Sequence, residues 1–154
     1  MENLFQEKLT NFLIKILDQS QSFTYEMVKI EGDEDINFMI SPILKSLKAK
    51  DKTKLNFLLY CSDESMLTIY CPNLYSLQDK DTLMGTLNNI NIVNSKIAVG
   101  KIYLNKFNNS RVNYVNRILF NNIYNELTIE ILEEYINSYL ATCVEFYKQM
   151  KAEL

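Results

Sequence analysis

The sequence predicts an α+β fold: a mainly antiparallel sheet of about five to six strands, packed by an N-terminal, a central and a long C-terminal helix. Apolar residues recur at helical spacing in three separate stretches, near the start, the middle and the end of the chain. Between them the period changes to two, and two pairs of such stretches are joined by short polar turns, the mark of local hairpins. The chain has 154 residues, 47% hydrophobic and 23% charged, which fits one globular domain over residues 1–154. No internal repeat, low-complexity linker or shift in composition divides it.

The first helix covers residues 3–18. Phe5, Leu9, Phe12, Leu13, Ile16 and Leu17 form its apolar face, Glu7, Lys8, Asn11 and Lys15 its wet face, and Asn3 fits the N-cap. From Phe23 side chains alternate as in a strand. The acidic cluster Glu31-Gly32-Asp33-Glu34-Asp35 then supplies a turn, and residues 36–40 form a second strand. Ser41-Pro42 suits the start of a short helix, because proline is tolerated at the first helical position. Residues 45–54, with Lys45, Lys48, Lys50, Lys52 and Lys54, read as an exposed connection.

Residues 55–61 and 66–71 are strands joined by Ser62-Asp63-Glu64-Ser65, and Pro72 ends the second. A tight turn there sets Phe57, Leu59 and Cys61 beside Met66 and Tyr70. Leu58 and Tyr60 then share the other face with Leu67, Ile69 and Cys71. Both faces are apolar, so this hairpin is either covered on both sides or meets a partner with one of them. Residues 79–91 read as a helix with Leu83, Leu87 and Ile90 inward. Residues 97–105 and 111–120 make a second hairpin about Asn108-Asn109. Thr128 caps the last helix, whose apolar face runs through Ile129, Leu132, Ile136, Tyr139, Leu140, Cys143, Phe146, Tyr147 and Met150. Glu130, Glu133 and Glu134 near its start and Lys148 and Lys151 near its end suit the helix dipole.

The chemistry available is narrow. There is no histidine, so the usual zinc ligand, general base and near-neutral proton switch are missing. Cys61, Cys71 and Cys143 are widely spaced with no CxxC pair and read as buried reduced thiols. No G-x-G-x-x-G or Walker pattern occurs, the spacing of the acidic cluster departs from an EF-hand, and Glu133 and Glu134 diverge on their helix. No catalytic, cofactor-binding or metal-binding residue is therefore expected, and no cofactor. An enzyme of this composition would have to use carboxylates, lysine, tyrosine or thiol without imidazole. Asn88 and Asn91 suit capping of the central helix or the turn after it, and Gly100 a bulge or close backbone approach.

A net charge of −3 argues against a phosphate-dominated partner, so nucleic acid is not expected; the lysines of residues 45–54 are the alternative that would use it. No apolar run nears the roughly 20 residues of a membrane helix, and the N-terminus lacks a signal pattern. A cytoplasmic chain without a membrane partner is the expectation.

The run Leu83-Met84-Gly85-Thr86-Leu87-Asn88-Asn89-Ile90-Asn91 is followed by Val99-Gly100-Lys101-Ile102-Tyr103-Leu104-Asn105, a strand from Arg111, and a final helix carrying Tyr139, Phe146 and Tyr147. This pattern, over roughly residues 54–150, resembles the YbjN family, the bacterial sensory transduction regulators. The resemblance implies an α-β-β-β-α-β-β-α layout like that of type III secretion chaperones, which are small, acidic, often dimeric, and bind an unfolded segment of an effector. Lys106-Phe107-Asn108-Asn109-Ser110 departs from the acidic loop usual in the family. The family supplies no catalytic residues. The expectation is a non-enzymatic protein-binding module, chaperone-like or regulatory, with a protein or peptide partner and scope for a homodimer. Its partner-binding residues would be Phe57, Leu59, Met66 and Tyr70, on one face of the first hairpin.

Overall fold

A computed structural model describes residues 2–29, 37–43 and 55–154, with side chains from Gln6 onward. In chain order the elements are α1 (Glu2–Leu17), β1 (Phe23–Val28), β2 (Asn37–Pro42), β3 (Phe57–Asp63) and β4 (Met66–Ser76). They continue with α2 (Leu83–Lys96), β5 (Lys101–Leu104), β6 (Arg111–Leu119), α3 (Ile123–Glu126) and α4 (Ile129–Gln149). The strands form one six-stranded sheet in the order β1-β2-β3-β4-β6-β5, with each neighbouring pair antiparallel. This is an α+β fold. Four strands precede α2, one more than the YbjN resemblance implies, and α3 is a further addition.

Strand alternation sends one set of side chains to a buried face. Phe38 and Ile40 of β2, Phe57, Leu59 and Cys61 of β3, Leu67, Ile69 and Cys71 of β4, and Val112, Tyr114 and Ile118 of β6 all lie in the core. The helices supply the other half: Leu9, Leu13, Ile16 and Leu17 from α1, Thr86, Ile90 and Val93 from α2, and Leu132, Ile136, Tyr139, Cys143, Phe146 and Tyr147 from α4. Each large apolar side chain so buried contributes about 1.5–3 kcal/mol relative to exposure.

Aromatic rings hold α4 to the sheet. Tyr139 packs against Phe57 at 4.7 Å and Tyr114 at 5.0 Å between ring centroids, and its hydroxyl donates to the Leu55 carbonyl at 3.1 Å. The Tyr147 hydroxyl donates to the Leu74 carbonyl at 2.7 Å, and the Tyr75 ring meets both Phe146 and Tyr147 edge-on. A buried phenol needs such a partner, so each bond also fixes the height of α4 along the sheet.

Several local expectations change. Ser41-Pro42 ends β2 instead of opening a helix; β2–β3 pairing stops at Ile40, so the N–H that Pro42 lacks removes no bond on that side. Pro72 does not end β4. It lies in a register shift between Cys71 and Tyr75, where a missing donor is tolerated. The central helix begins at Leu83, not residue 79, because Thr82 is its N-cap and accepts from the Gly85 N–H at 3.0 Å. Asp81 instead accepts from the Tyr75 hydroxyl at 2.5 Å and the Gln78 N–H at 2.8 Å.

The inward face of α2 is Thr86, Ile90 and Val93, an equally helical spacing, which leaves Leu83 46% and Leu87 39% exposed. Asn88 and Asn91 are exposed within the helix and cap nothing. Asn94 does the work instead: its Nδ2 donates to the Ile102 carbonyl at 2.9 Å and its Oδ1 accepts from the Ile102 N–H at 3.0 Å. One amide thus gives edge strand β5 the pair of bonds that a further strand would offer. The Asn3 side chain, the acidic turn at 31–35 and the lysines of residues 45–54 lie outside the described residues.

Gly100 lies just before β5, with φ +78°, and a Cβ there would collide with the Tyr114 phenol. Gly100→Ala should therefore destabilise the fold by about 1–3 kcal/mol or more, from left-handed backbone strain and displacement of a core ring. Urea titration checks this: the midpoint should fall with the slope unchanged.

Candidate functional site

The first hairpin closes with Asp63 opposite Met66 around Glu64-Ser65, and the Asp63 carboxylate accepts from the Ser65 N–H at 2.7 Å and hydroxyl at 2.6 Å. Those hydrogen bonds hold the Asp63 carboxyl below its ordinary range. Continued regularly, this turn would pair Leu59 with Tyr70, the grouping expected from sequence. A bulge between Cys61 and Asp63 intervenes, and the pairs become Cys61 with Leu67, Leu59 with Ile69 and Leu58 with Tyr70. A slip of one residue turns every side chain over. Phe57, Leu59, Met66 and Tyr70 therefore do not share a face. Phe57 and Leu59 are buried under the helices, whereas Met66 and Tyr70 lie half-buried on the opposite face.

That opposite face is assembled in cross-strand rows. One row runs Lys101, Val115, Tyr70, Leu58, Met39 and Glu26 from β5 across to β1. The next runs Arg117, Thr68, Tyr60, Asn37 and Val28, and Leu119 pairs with Met66 beyond it. Tyr103 and Asn113 flank the first row on the other side. Among the described residues, the aromatic contacts of α1 and α4 and the core residues of α2 all lie on the buried face, and no helix covers this one. Leu119 is 77% exposed, while Leu58, Tyr60, Tyr70 and Val115 are half-buried among one another. Burial pushes the Tyr70 phenol up, and its neighbours Tyr103 and Tyr60 push it further, so the three phenols form one cluster. Asn113 beside Tyr103 is buried, with an Oδ1 that accepts no hydrogen bond.

The face is mixed in charge. Lys101, Arg111 and Arg117 point outward from β5 and β6, are exposed, and have no ion pair among the described residues. Glu26, on edge strand β1, and Asp63, opposite Met66 at the turn end of β3, are the acids in these rows. Lys101 and Arg117 bracket Val115, next to Tyr70. The arrangement offers rings and aliphatic chains for contact, rimmed by cations, and brings no nucleophile to a base.

The thiols are remote from this face. All three cysteines are buried and outside any disulfide, and burial pushes the Cys71 and Cys143 thiols up, away from the reactive thiolate. No group of three or more acidic or cysteine side chains among the described residues could hold a metal ion. A cleft of about 310 Å³ beside Asn73, Ser76, Gln78 and Tyr147 is polar, and the nearby Tyr75 and Tyr147 hydroxyls are committed to Asp81 and Leu74. A second cleft of about 300 Å³ between Ile97, Val99, Ala141 and Thr142 is bounded by the Lys96–Glu145 ion pair at 3.0 Å. No described helix is long and apolar enough to cross a membrane.

Sequence reasoning found Met66 and Tyr70 but passed over Tyr60, Tyr103, Lys101, Arg117 and Leu119. The alternation of Asn113, Val115, Arg117 and Leu119 against buried Tyr114, Asn116 and Ile118 was the available signal.

No protein-family model matches the chain, and no curated protein matches it. Among solved structures, it is similar to an uncharacterized protein from Methanothermobacter thermautotrophicus. The TM-score is 0.57 at 11% sequence identity, and the match covers 95% of this chain and 96% of that one. At that identity the likeness shows a shared fold.

The tyrosines give the fold an alkaline limit. Tyr75, Tyr114 and Tyr139 are pushed far above the ordinary 10.0 by burial first, and Tyr70 is raised as well. A raised folded-state value contributes stability that is fully present below the unfolded value and lost as pH rises through the folded one. The buried phenols should thus ionise only above pH 10, in a cooperative step together with loss of circular dichroism. Ionisation of all ten tyrosines near pH 10 with the fold intact would contradict this packing.

Proposed function

We propose that this chain is a non-enzymatic protein-binding module of YbjN type, chaperone-like or regulatory, that holds a protein or peptide partner on the uncovered face of its sheet. The observation carrying this reading is the apolar, tyrosine-rich surface of Leu58, Tyr60, Met66, Tyr70, Tyr103, Val115 and Leu119, with no described helix over it. A contiguous apolar patch on a polar rim is the usual form of a protein contact, with Tyr and Met favoured as anchors. Asn94 occupies the β5 edge, so a strand joining there would have to displace it, and the face is the surface on offer at that side. A cytoplasmic location and scope for a homodimer belong to this reading.

The test is site-specific photo-crosslinking in the native host. A crosslinker at position 70 or 119 should capture one defined protein, and the same group at the exposed Val144 of α4 should not. Tyr70→Ala should weaken binding of the captured partner by about tenfold or more, as loss of a central aromatic anchor does. Equal capture from all three positions, or none from 70 and 119, would remove the reading.

A further inference from the structure

We infer that the partner segment on this face is acidic as well as apolar: an extended stretch of about nine residues laid along β6, whose sheet-facing side chains, every second residue, include both carboxylates and apolar groups. This rests on the protein-binding reading above and adds the chemistry of the partner.

The charge pattern carries it. β6 turns Arg111, Asn113, Val115, Arg117 and Leu119 outward, and Lys101 of β5 is paired with Val115. A segment following β6 therefore meets Leu119, then Arg117, then Val115 with Lys101 beside it, then Tyr103, then Arg111. The chain as a whole carries −3, so a strip with three unpaired cations reverses the average sign of the surface. The acids of these rows stand off β5 and β6: Glu26 is on β1, at the opposite end of the sheet, and Asp63 is at the turn end of β3 with its carboxylate engaged by Ser65. Covering exposed cations with a neutral apolar partner would strip their water without return, whereas the sheet-facing side chains of an extended segment, every second residue, can set carboxylates over Arg117 and Arg111 and apolar groups over Leu119, Val115 and Tyr70. The alternation of β6 sets the same period in its ligand, and nine residues at ~3.3 Å each match its length of roughly 30 Å.

The other occupants fit less well. Nucleic acid needs open ring faces for stacking; Tyr60 and Tyr70 are half-buried among their neighbours, and Tyr70 is engaged with Tyr103. A second copy of the chain would bring the same surplus of positive charge.

The experiment is selection from a displayed random library of peptides of about twelve residues, long enough to span β6. Affinities of the selected peptides are then measured on the native chain and on Arg117→Glu, Lys101→Glu and Tyr70→Ala, each checked for folding by circular dichroism. Selected peptides should carry both carboxylates and apolar residues among every second position. Their binding should weaken with added salt and fall about tenfold or more in Arg117→Glu and in Tyr70→Ala. Neutral or basic peptides that still depend on Tyr70 would overturn the acidic inference and leave the protein-binding reading standing. No selected peptide sensitive to Tyr70→Ala would remove both. Tighter binding of oligouridylate, lost in Arg117→Glu, would assign the face to nucleic acid. Concentration-dependent dimerisation abolished by Tyr70→Ala would assign it to a second copy.

Discussion

The contact between Tyr139 and the sheet sets the rest of the architecture. Its ring lies between Phe57 and Tyr114, from strands that are not neighbours, and its hydroxyl ties α4 to the Leu55 carbonyl where the chain enters β3. With Phe57 held inward, strand alternation sends Leu59 and Cys61 inward too, and turns Leu58 and Tyr60 out. The helices are used on one side of the sheet among the described residues. The apolar character of the outward residues therefore has no intramolecular answer among the described residues, and the candidate face is a consequence of where α4 docks.

Two irregularities keep that alternation consistent across six strands. The bulge between Cys61 and Asp63 adds one residue to β3 and reverses which side chains meet across the hairpin. The shift between Cys71 and Tyr75 sets four residues of β4 against two of β6. That excess is even, so Tyr75 returns to the core beside Phe146 and Tyr147 while Pro72 and Asn73 are exposed. At the β5 edge the Asn94 amide takes up the free backbone groups of Ile102, so the sheet ends on a side chain and presents no bare ladder at that residue.

The periodicities that define α1, the strands and α4 were legible because each combines a long apolar face with a distinct period. The hairpin register was not. In β3 both faces are apolar, Phe57, Leu59 and Cys61 on one and Leu58 and Tyr60 on the other, so a slip of one residue leaves the hydrophobic pattern unchanged. Only the bulge next to the turn decides between the two groupings, and a bulge has no signature in composition. The rotation of α2 was hidden for a similar reason: Leu83 and Leu87 are the stronger hydrophobes, but Thr86, Ile90 and Val93 lie at helical spacing on the side that the Thr82 cap and the Asn94 bridge turn toward the core. The family resemblance drew attention to Asn88 and Asn91 of the same run, whereas the asparagine that bonds across to the sheet is Asn94.

An uncovered apolar sheet face ordinarily invites aggregation, and the cations answer that hazard. Lys101, Arg111 and Arg117 stand at outward positions of β5 and β6 and repel a second sheet bearing the same charges. Mutual packing of Leu58, Tyr60, Tyr70 and Val115 lowers the apolar area that each leaves to water. The charges that block self-association also restrict which partner can displace their water, so solubility and selectivity on this surface come from the same side chains.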